Sequence, residues 1–351
     1  MRSRASCLLL VIVIYAFALS AGVCAQSWVT LVSGGDTNLR AVSAARIPAT
    51  AHIAIWASGS HDLILRSLDD GATWTRLSIP GQPDLDFRGI VAFNDKIAYL
   101  MSSGQGNKSK IHKTIDGGIN WELQYTDVNN AFFLDSIACS SPTNCFALGD
   151  PINGRFLLLQ TTDGRRWNPL PPQDLPPALP REGAFAASNS NLLVVSENEL
   201  FVVTGAFAAR VLHTTNAGKD WTVSAVPIAA DNATSGIFSI ARSTGSLAAV
   251  GGDYANPTVA SRIAAFSEDQ SKTWQSPAQQ PGGYRSAVVS QDGPTLLAVG
   301  PSGSDISIDA GLHWKPFSAL ALNALFAFDS QHVYAAGPRG TIAQFVLADS
   351  K

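Results

Sequence analysis

The sequence has little charge and few of the residues that commonly hold metals or cofactors. Charged residues make up 15% of its 351 positions, and the net charge is −3. Without a basic excess, the chain lacks the electrostatic character expected of a nucleic-acid-binding protein. Its six histidines show no metal-ligand spacing, and the sequence contains no dinucleotide fingerprint or haem motif. We therefore expect no cofactor, no metal and no nucleic-acid partner.

Cysteine is also scarce. Of the four cysteines, Cys139 and Cys145 are the two that lie outside the N-terminal segment discussed next. Five residues, one of them a proline, separate the pair, and the two flank a predicted hairpin turn. In an exported protein this arrangement favours a disulfide across the turn. A two-cysteine metal site is disfavoured because no pair of histidines lies nearby.

An apolar stretch near the N-terminus predicts export. Residues 1–25 begin with a positive segment at Arg2 and Arg4, continue with an apolar stretch over 8–18, and end in a small-residue cleavage site at Ala25. The stretch is short for a membrane span. It predicts a signal peptide over 1–25, a periplasmic or secreted protein, and no transmembrane span after cleavage. Lipidation at Cys24 is a less favoured alternative, because Val23 precedes it where a small residue is preferred.

One eight-residue pattern recurs along the chain: Ser or Thr, any residue, Asp, any residue, Gly, two further residues and Trp. Each copy lies between two short apolar runs, which is typical of a β-hairpin with the octet at its turn. The Asp can accept backbone N–H groups within the turn, the Gly supplies a positive φ, and the Trp begins the next strand and buries a large ring. Six copies are present, some with one residue missing or replaced. Their Asp or Asn and Trp residues are Asp69 and Trp74, Asp116 and Trp121, Asp163 and Trp167, Asn216 and Trp221, Asp269 and Trp274, and Asp309 and Trp314.

The octet resembles the Asp-box, or BNR repeat, of β-propellers. This repeat occurs in sialidases, in other glycosidases, and in the photosystem II assembly and stability factors. In those families the box lies between the third and fourth strands of a blade, at the rim and away from the central site. The resemblance therefore implies that the octet residues are structural.

The spacing of the repeats predicts the number of blades. The octet tryptophans are 40 to 54 residues apart, as expected for repeats of several short strands. Trp28 falls in register before the first octet, and seven short apolar segments that end in Gly mark seven second strands. We predict an all-β fold, a seven-bladed β-propeller of four-stranded antiparallel blades forming a single domain over 26–347. The N-terminal strand around Trp28 should complete the last blade. Seven blades, against six in sialidases, favour the photosystem II assembly factors as the most similar family.

The loops opposite the octets are the candidate functional site. Successive links in a propeller alternate between its two faces, so these loops should surround one mouth of the central channel. Polar, glycine-rich segments fall there at 149–155, 251–254, 282–286 and 300–305, and six prolines lengthen a loop between 169 and 180. That loop is either a partner-binding segment or a tolerated surface insertion. The candidate ligand- or partner-binding residues are Asp150, Arg155, Glu182, Arg210, Asp253, Tyr254, Tyr284 and Arg285.

Two functions remain open. The first is a non-catalytic, monomeric scaffold that binds a protein client, or a small or saccharide ligand, at the mouth, as the resemblance to the photosystem II assembly factors implies. Those factors present an arginine-rich patch, for which the candidates are Arg155, Arg181, Arg210, Arg262, Arg285 and Arg339. The second is an exported glycoside hydrolase of sialidase type, with Glu182 paired to Tyr254 or Tyr284 as the catalytic residues. A hydrogen bond between Glu182 and a tyrosine inside the mouth would favour the hydrolase.

Overall fold

The structure, a computed structural model, describes residues 26–81 and 84–347. The predicted signal peptide and Cys24 lie outside the described residues. The described chain is built from short strands with three short 3-10 turns, at Gly106–Lys108, Pro172–Asp174 and Pro338–Gly340.

The strands form seven antiparallel sheets, the blades, in chain order. After β1 (Gln26–Val32), blade 1 contains β2 (Leu39–Arg46), β3 (Ile53–Gly59), β4 (Ile64–Ser67) and β5 (Thr75–Leu77). Blade 2 contains β6 (Asp86–Ala92), β7 (Ala98–Ser103), β8 (Lys110–Thr114) and β9 (Glu122–Thr126). Blade 3 contains β10 (Leu134–Ser141), β11 (Asn144–Ile152), β12 (Arg155–Thr161) and β13 (Asn168–Pro169). Blade 4 contains β14 (Leu192–Val194), β15 (Leu200–Val203), β16 (Arg210–Thr214) and β17 (Thr222–Ala225).

The remaining three blades follow the same plan with two variations. Blade 5 contains β18 (Ser235–Ser243), β19 (Ser246–Asp253) and β20 (Ala264–Ser267), and its fourth strand is reduced to a backbone pairing of Phe266 with Gln275. Blade 6 contains β21 (Ala287–Asp292), β22 (Thr295–Gly300), β23 (Gly303–Ser307) and β24 (Lys315–Ser318). Blade 7 contains β25 (Ala324–Ala327), β26 (Val333–Ala336) and β27 (Ile342–Leu347), and takes β1 as its outer strand.

The predicted ring closure is confirmed. Strand β1 pairs antiparallel with β27, and Trp28 lies opposite Phe345. The Trp28 ring meets the rings of Phe345 and Phe317 edge-on or tilted, with centroids 5.5 and 6.0 Å away. Its Nε1 donates to Ser304 Oγ of blade 6 at 2.9 Å. The seven-bladed count is therefore confirmed, and the closing strand removes an open sheet edge.

Each octet forms the turn between the third and fourth strands of its blade, as predicted. In the first copy, Ser67 Oγ accepts from the Gly71 amide at 2.9 Å, and Asp69 accepts from the amide and hydroxyl of Thr73 at 2.8 and 2.6 Å. These bonds lower the pKa of Asp69 to about 2. Gly71 has φ +93°, and Ser271, where glycine is replaced, has φ +67°. The octet thus encodes a turn that needs a left-handed residue.

The blades pack on each other through apolar faces. Every residue of β3 is buried, because inner strands are covered by a neighbouring blade on both sides. Octet tryptophans reach across these interfaces: the Trp121 ring meets Trp56 of blade 1 at 6.3 Å, and the Trp167 ring meets Tyr99 of blade 2 at 5.8 Å. Cys139 and Cys145 are opposite each other on β10 and β11 and are joined by a disulfide.

Candidate functional site

A cavity of about 520 Å³ opens at one mouth of the channel, lined by the starts of the first strands and the links after the second strands. Four of its lining residues occupy the same structural position in different blades. They are Arg40, Arg88, Asp135 and Phe238. We call this space the central cavity.

Each of these four residues is the extra residue of a β-bulge in the innermost strand. In blade 1, Leu39 pairs with Gly59 and Ala41 with Ser58, which leaves Arg40 unpaired between them. The registers around Arg88, Asp135 and Phe238 skip one residue in the same way. A bulge redirects one side chain without ending the strand pairing. In blades 1, 2, 3 and 5 the repeat therefore supplies one channel-lining residue through the bulge, and Ser286 and Asn323 line the cavity just before β21 and β25.

In blades 1 and 5 the bulge also accounts for a glycine late in the second strand. A Cβ on Gly59 would lie 2.3 Å from Asn38 O, and a Cβ on Gly251 would lie 2.0 Å from Gly236 O. Both oxygens belong to the residue two positions before the bulged one. The backbone of the first strand approaches so closely at the bulge that a side chain opposite it would clash.

Two carboxyl groups line the central cavity without a full set of donors. Asp135 is fully buried, and neither of its oxygens has a hydrogen-bond partner among the described residues. Asp150 accepts the Ala184 amide at 3.1 Å through Oδ1. Burial raises the pKa of both groups, and for Asp135 the charge of Asp150 raises it further while Arg88 opposes the shift.

Two guanidinium groups lie beside these carboxyls. Arg88 is paired with Asp86 at 2.7 Å and donates to Ala186 O at 2.8 Å. The Nε of Arg40 is buried and has no acceptor within the described chain. Burial, then the positive charge of Arg88, lowers the pKa of Arg40. The wall of the central cavity thus holds two neighbouring carboxyl groups and two neighbouring guanidinium groups.

Aromatic rings form the opposite wall. Phe185 stacks on Phe238 with centroids 4.0 Å apart, and Tyr254 meets both rings edge-on. Tyr284 packs edge-on against Phe238 at 4.7 Å, and burial raises its pKa. These rings give the central cavity an apolar side that faces its charged side.

The central cavity continues outward into two further cavities. The second, about 540 Å³, shares Phe133, Asp150, Ala184 and Phe185 with the central cavity. The third, about 500 Å³, shares Gln105 and Asn130 with the second and reaches Asp86 and Lys108. We call the three together the mouth groove. It runs from the channel axis to the start of β6 and the link after β7 in blade 2.

The chain is similar in sequence and in fold to known β-propeller proteins. No family model matches the chain. Eighty residues are 36% identical to the photosystem II assembly lipoprotein Ycf48 of a Synechococcus species, and the match covers 22% of this chain and 22% of that protein. The solved structure of Ycf48 bound to a D1 peptide has a TM-score of 0.62 at 13% identity, covering 92% of this chain and 96% of that one. This chain resembles Ycf48 in sequence and in fold.

Other solved structures share the fold as well. Ycf48 from Cyanidioschyzon merolae has a TM-score of 0.62 at 16% identity, over 91% of this chain and 98% of that one. The GH74 xyloglucanase of Xanthomonas campestris has a TM-score of 0.60 at 16% identity, over 91% of this chain and 53% of that one. At these identities the structural likeness shows the fold alone. The predicted likeness to the photosystem II assembly factors is confirmed.

Several residues predicted for the site lie at the mouth groove, and others hold loops in place. Asp150, Tyr254 and Tyr284 line the central cavity, and Glu182 lines the second cavity. Glu182, however, accepts from Thr204 Oγ1 at 2.6 Å, from the Leu179 amide at 2.7 Å and from two nitrogens of Arg210. Its side chain is fully buried.

Arg155 and Arg210 anchor the proline-rich loop. Arg155 Nη1 donates to Leu175 O, and Arg210 Nη2 donates to Pro177 O at 2.9 Å as well as to Glu182. The loop is therefore held against β12 and β16. The loop leads into Arg181 and Glu182, which line the second cavity.

Two further candidates are engaged in local structure. Arg285 is buried and paired with Asp305 at 2.5 Å, so its guanidinium does not face the mouth. Asp253 accepts from Thr234 Oγ1 at 2.6 Å and from the Ala255 amide at 2.9 Å. Although burial acts to raise it, these and neighbouring bonds hold the pKa of Asp253 at about 2. Asp253 thus shapes the loop that carries Tyr254.

The arrangement needed for a sialidase-type hydrolase is not formed in the described chain. Glu182 bonds to Arg210 and Thr204 instead of a tyrosine, and Tyr284 lies in the central cavity while Glu182 lines the second. Two of the candidate patch arginines have local partners: Arg181 lies over the Phe207 ring at 3.6 Å, and Arg262 pairs with Asp231 on the surface. Residues 26–81 and 84–347 contain no group of three or more potential metal ligands, and form no helix long and apolar enough to cross a membrane.

The sequence analysis missed the bulged residues Arg40, Arg88, Asp135 and Phe238. A signal for them exists. Each stands between an apolar residue and a small one, in Leu-Arg-Ala, Phe-Arg-Gly, Leu-Asp-Ser and Ile-Phe-Ser. The triplets recur at the start of the innermost strands and could have been aligned as a third repeat.

Proposed function

We propose that this protein is an exported, non-catalytic propeller that binds an extended segment of a client protein in the mouth groove. The observation that carries the proposal is the groove itself: three adjoining cavities that run from the channel axis to blade 2 and offer charged and aromatic walls. A long groove with both charged and aromatic walls suits an extended peptide, whose successive side chains can occupy separate cavities. The similarity to Ycf48, whose structure is known with a D1 peptide bound, supports a protein client.

The proposal is tested with a random peptide display library selected on the immobilised protein. Ala184→Trp places a large ring in the wall shared by the central and second cavities. Ile119→Trp adds the same ring to an exposed octet position. Peptides should bind the wild type and Ile119→Trp alike and bind Ala184→Trp at least about tenfold more weakly, a loss of about 1.4 kcal/mol. Melting curves of all three proteins verify folding.

Two further outcomes would contradict the proposal. If Ala184→Trp binds the selected peptides as well as the wild type does, the mouth groove is not the binding site. If the wild type hydrolyses members of a fluorogenic sialoside and glycoside panel, and Glu182→Gln does not, the protein is an enzyme. Export is tested separately by expressing the full chain, fractionating the cells and sequencing the mature N-terminus, which should begin at Gln26.

A further inference from the structure

We propose that the central cavity is a receptor for one basic side chain of the client, a lysine or an arginine, whose charged end pairs with Asp135 and Asp150. This inference rests on the proposed function, because it assigns a chemical preference to the mouth groove. The observations behind it are the carboxyl oxygens of the cavity wall that lack hydrogen-bond donors.

The proposal depends first on the buried carboxyl group of Asp135. Asp135 is the bulged residue of β10, its side chain lines the central cavity, and its exposure is zero. Neither carboxyl oxygen has a donor within the described residues. A buried carboxyl without partners is unfavourable unless it is protonated or meets a cation. Asp135 belongs to the cavity wall, and a small rotation of its side chain would bring its oxygens to a cation inside the cavity, which can supply the missing bonds.

The proposal depends secondly on the carboxyl group of Asp150, which lines the same cavity. Asp150 comes from β11, is partly exposed, and lines both the central and the second cavity. Its Oδ1 accepts the Ala184 amide, and its Oδ2 has no hydrogen bond to any described residue. Three of the four oxygens of this pair are thus free to accept. An ammonium or guanidinium group has enough donors to satisfy all three.

The surrounding charges leave room for one more cation. Arg88 is already neutralised by Asp86 at 2.7 Å. Arg40 alone remains to balance Asp135 and Asp150 across the cavity. With both carboxyls ionised, the wall has one negative charge in excess, which a single basic side chain would neutralise.

The apolar wall favours a long side chain over a free metal ion. Phe133 and Phe185 line both the central and the second cavity, on the way from the groove to the carboxyls. The methylene stem of lysine or arginine can lie against such rings while its charged end reaches the carboxyls. A small hydrated cation would gain nothing from them.

Protonation gives the proposal a second readout. The groups that face Asp135 are Arg88 of β6 and Asp150 of β11, and Arg40, Asp86 and Tyr284 complete the local set. Burial holds the pKa of Asp135 well above its usual range in the empty cavity. A bound cation favours the ionised form, so binding should release a proton and strengthen as the pH rises.

The experiment uses the peptides selected above and compares each with copies in which single lysines or arginines are replaced by norleucine. One such replacement should weaken binding to the wild type by about tenfold or more. The same replacement should change binding to Asp135→Asn about threefold or less, because the receptor is lost. Asp231→Asn removes an exposed carboxylate that pairs with Arg262; it is the matched control and should retain the wild-type difference. Calorimetry in buffers of different ionisation enthalpy measures the released proton.

The outcomes separate this inference from the proposed function. If Ala184→Trp blocks the peptides but no basic residue matters, the mouth groove binds peptides and the receptor proposal is wrong. If a basic residue matters equally in Asp135→Asn and the wild type, the carboxyl is not its partner and the proposal is also wrong. A direct titration with Nα-acetyl-lysine methylamide needs no peptide: it should raise the melting temperature of the wild type more than the norleucine analogue does, and equal effects would overturn the proposal.

Discussion

The ion pair between Glu182 and Arg210 should be the main attachment of the proline-rich loop. We expect Glu182→Gln to weaken it strongly while leaving the ring closed. Glu182 receives four hydrogen bonds, from Thr204, from the Leu179 amide and from two nitrogens of Arg210. The Glu182 side chain is fully buried and that of Arg210 is 14% exposed. Gln keeps one acceptor oxygen but turns an amide donor toward other donors.

The magnitude follows from the burial of the pair. Removing one partner of a buried ion pair costs about 3–5 kcal/mol, because the other charge is left without compensation. Gln retains part of the hydrogen bonding, and the small exposure of Arg210 admits some water. We therefore expect Glu182→Gln to lower the free energy of unfolding by about 3 kcal/mol, the low end of that range. The matched control is Glu199→Gln in the same blade. Its side chain is 26% exposed and its contacts to His213 and Arg242 are 3.2 and 3.3 Å long, so about 0–1 kcal/mol is expected.

Urea denaturation measures the two costs, and hydrogen exchange locates them. In Glu182→Gln the amides of the 170–183 loop should exchange faster, including that of Leu179, while amides of β15 and β16 stay protected. In Glu199→Gln the loop should be unchanged. Equal costs in the two variants, or unchanged exchange in the loop, would refute the idea that this ion pair holds the loop.

Three other predictions test the ring, the central cavity and the bulges. Trp28→Ala should cost about 3 kcal/mol in urea denaturation and promote aggregation by loosening the strand over β27; unchanged stability would contradict the closure. Because the folded-state pKa of Asp135 is raised above the unfolded value near 3.8, wild-type stability should fall as the pH rises above about 4, and Asp135→Asn should flatten this slope; parallel profiles would contradict the burial of that charge. Gly59→Ala should destabilise by about 2 kcal/mol or more, since its Cβ would meet Asn38 O at 2.3 Å; a neutral result would show that the bulge relaxes.

The architecture could be predicted because the sequence patterns of one blade recur along the whole propeller. The octet, which fixes a turn and ends in the tryptophan of the fourth strand, and the glycine that follows the second strand give two independent counts of the blades. Trp28 showed where the ring closes, since it kept the spacing without an octet before it. Repetition of this kind outweighs the ambiguity of any one short strand.

Which loops meet at one mouth could be predicted, but the contacts of their side chains could not. Strand order decides which links share a face, and Asp150, Tyr254 and Tyr284 do line the same cavity. That this cavity binds a client stays a prediction. It could not show that Glu182 and Arg285 are consumed by ion pairs, since their partners Arg210 and Asp305 are 28 and 20 residues away along the chain. The bulged residues escaped because a one-residue slip in register is marked only by short triplets, which become visible once the innermost strands are aligned with one another.

The bulge has a consequence for how such proteins diversify. The residues flanking Arg40, Asp135 or Phe238 hold the strand ladder, while the bulged side chain takes no part in it. A substitution at one bulged position can therefore change the charge or shape of the channel lining without disturbing the strand pairing that holds the blade. Propellers with the same ring could acquire very different clients through changes at these few positions.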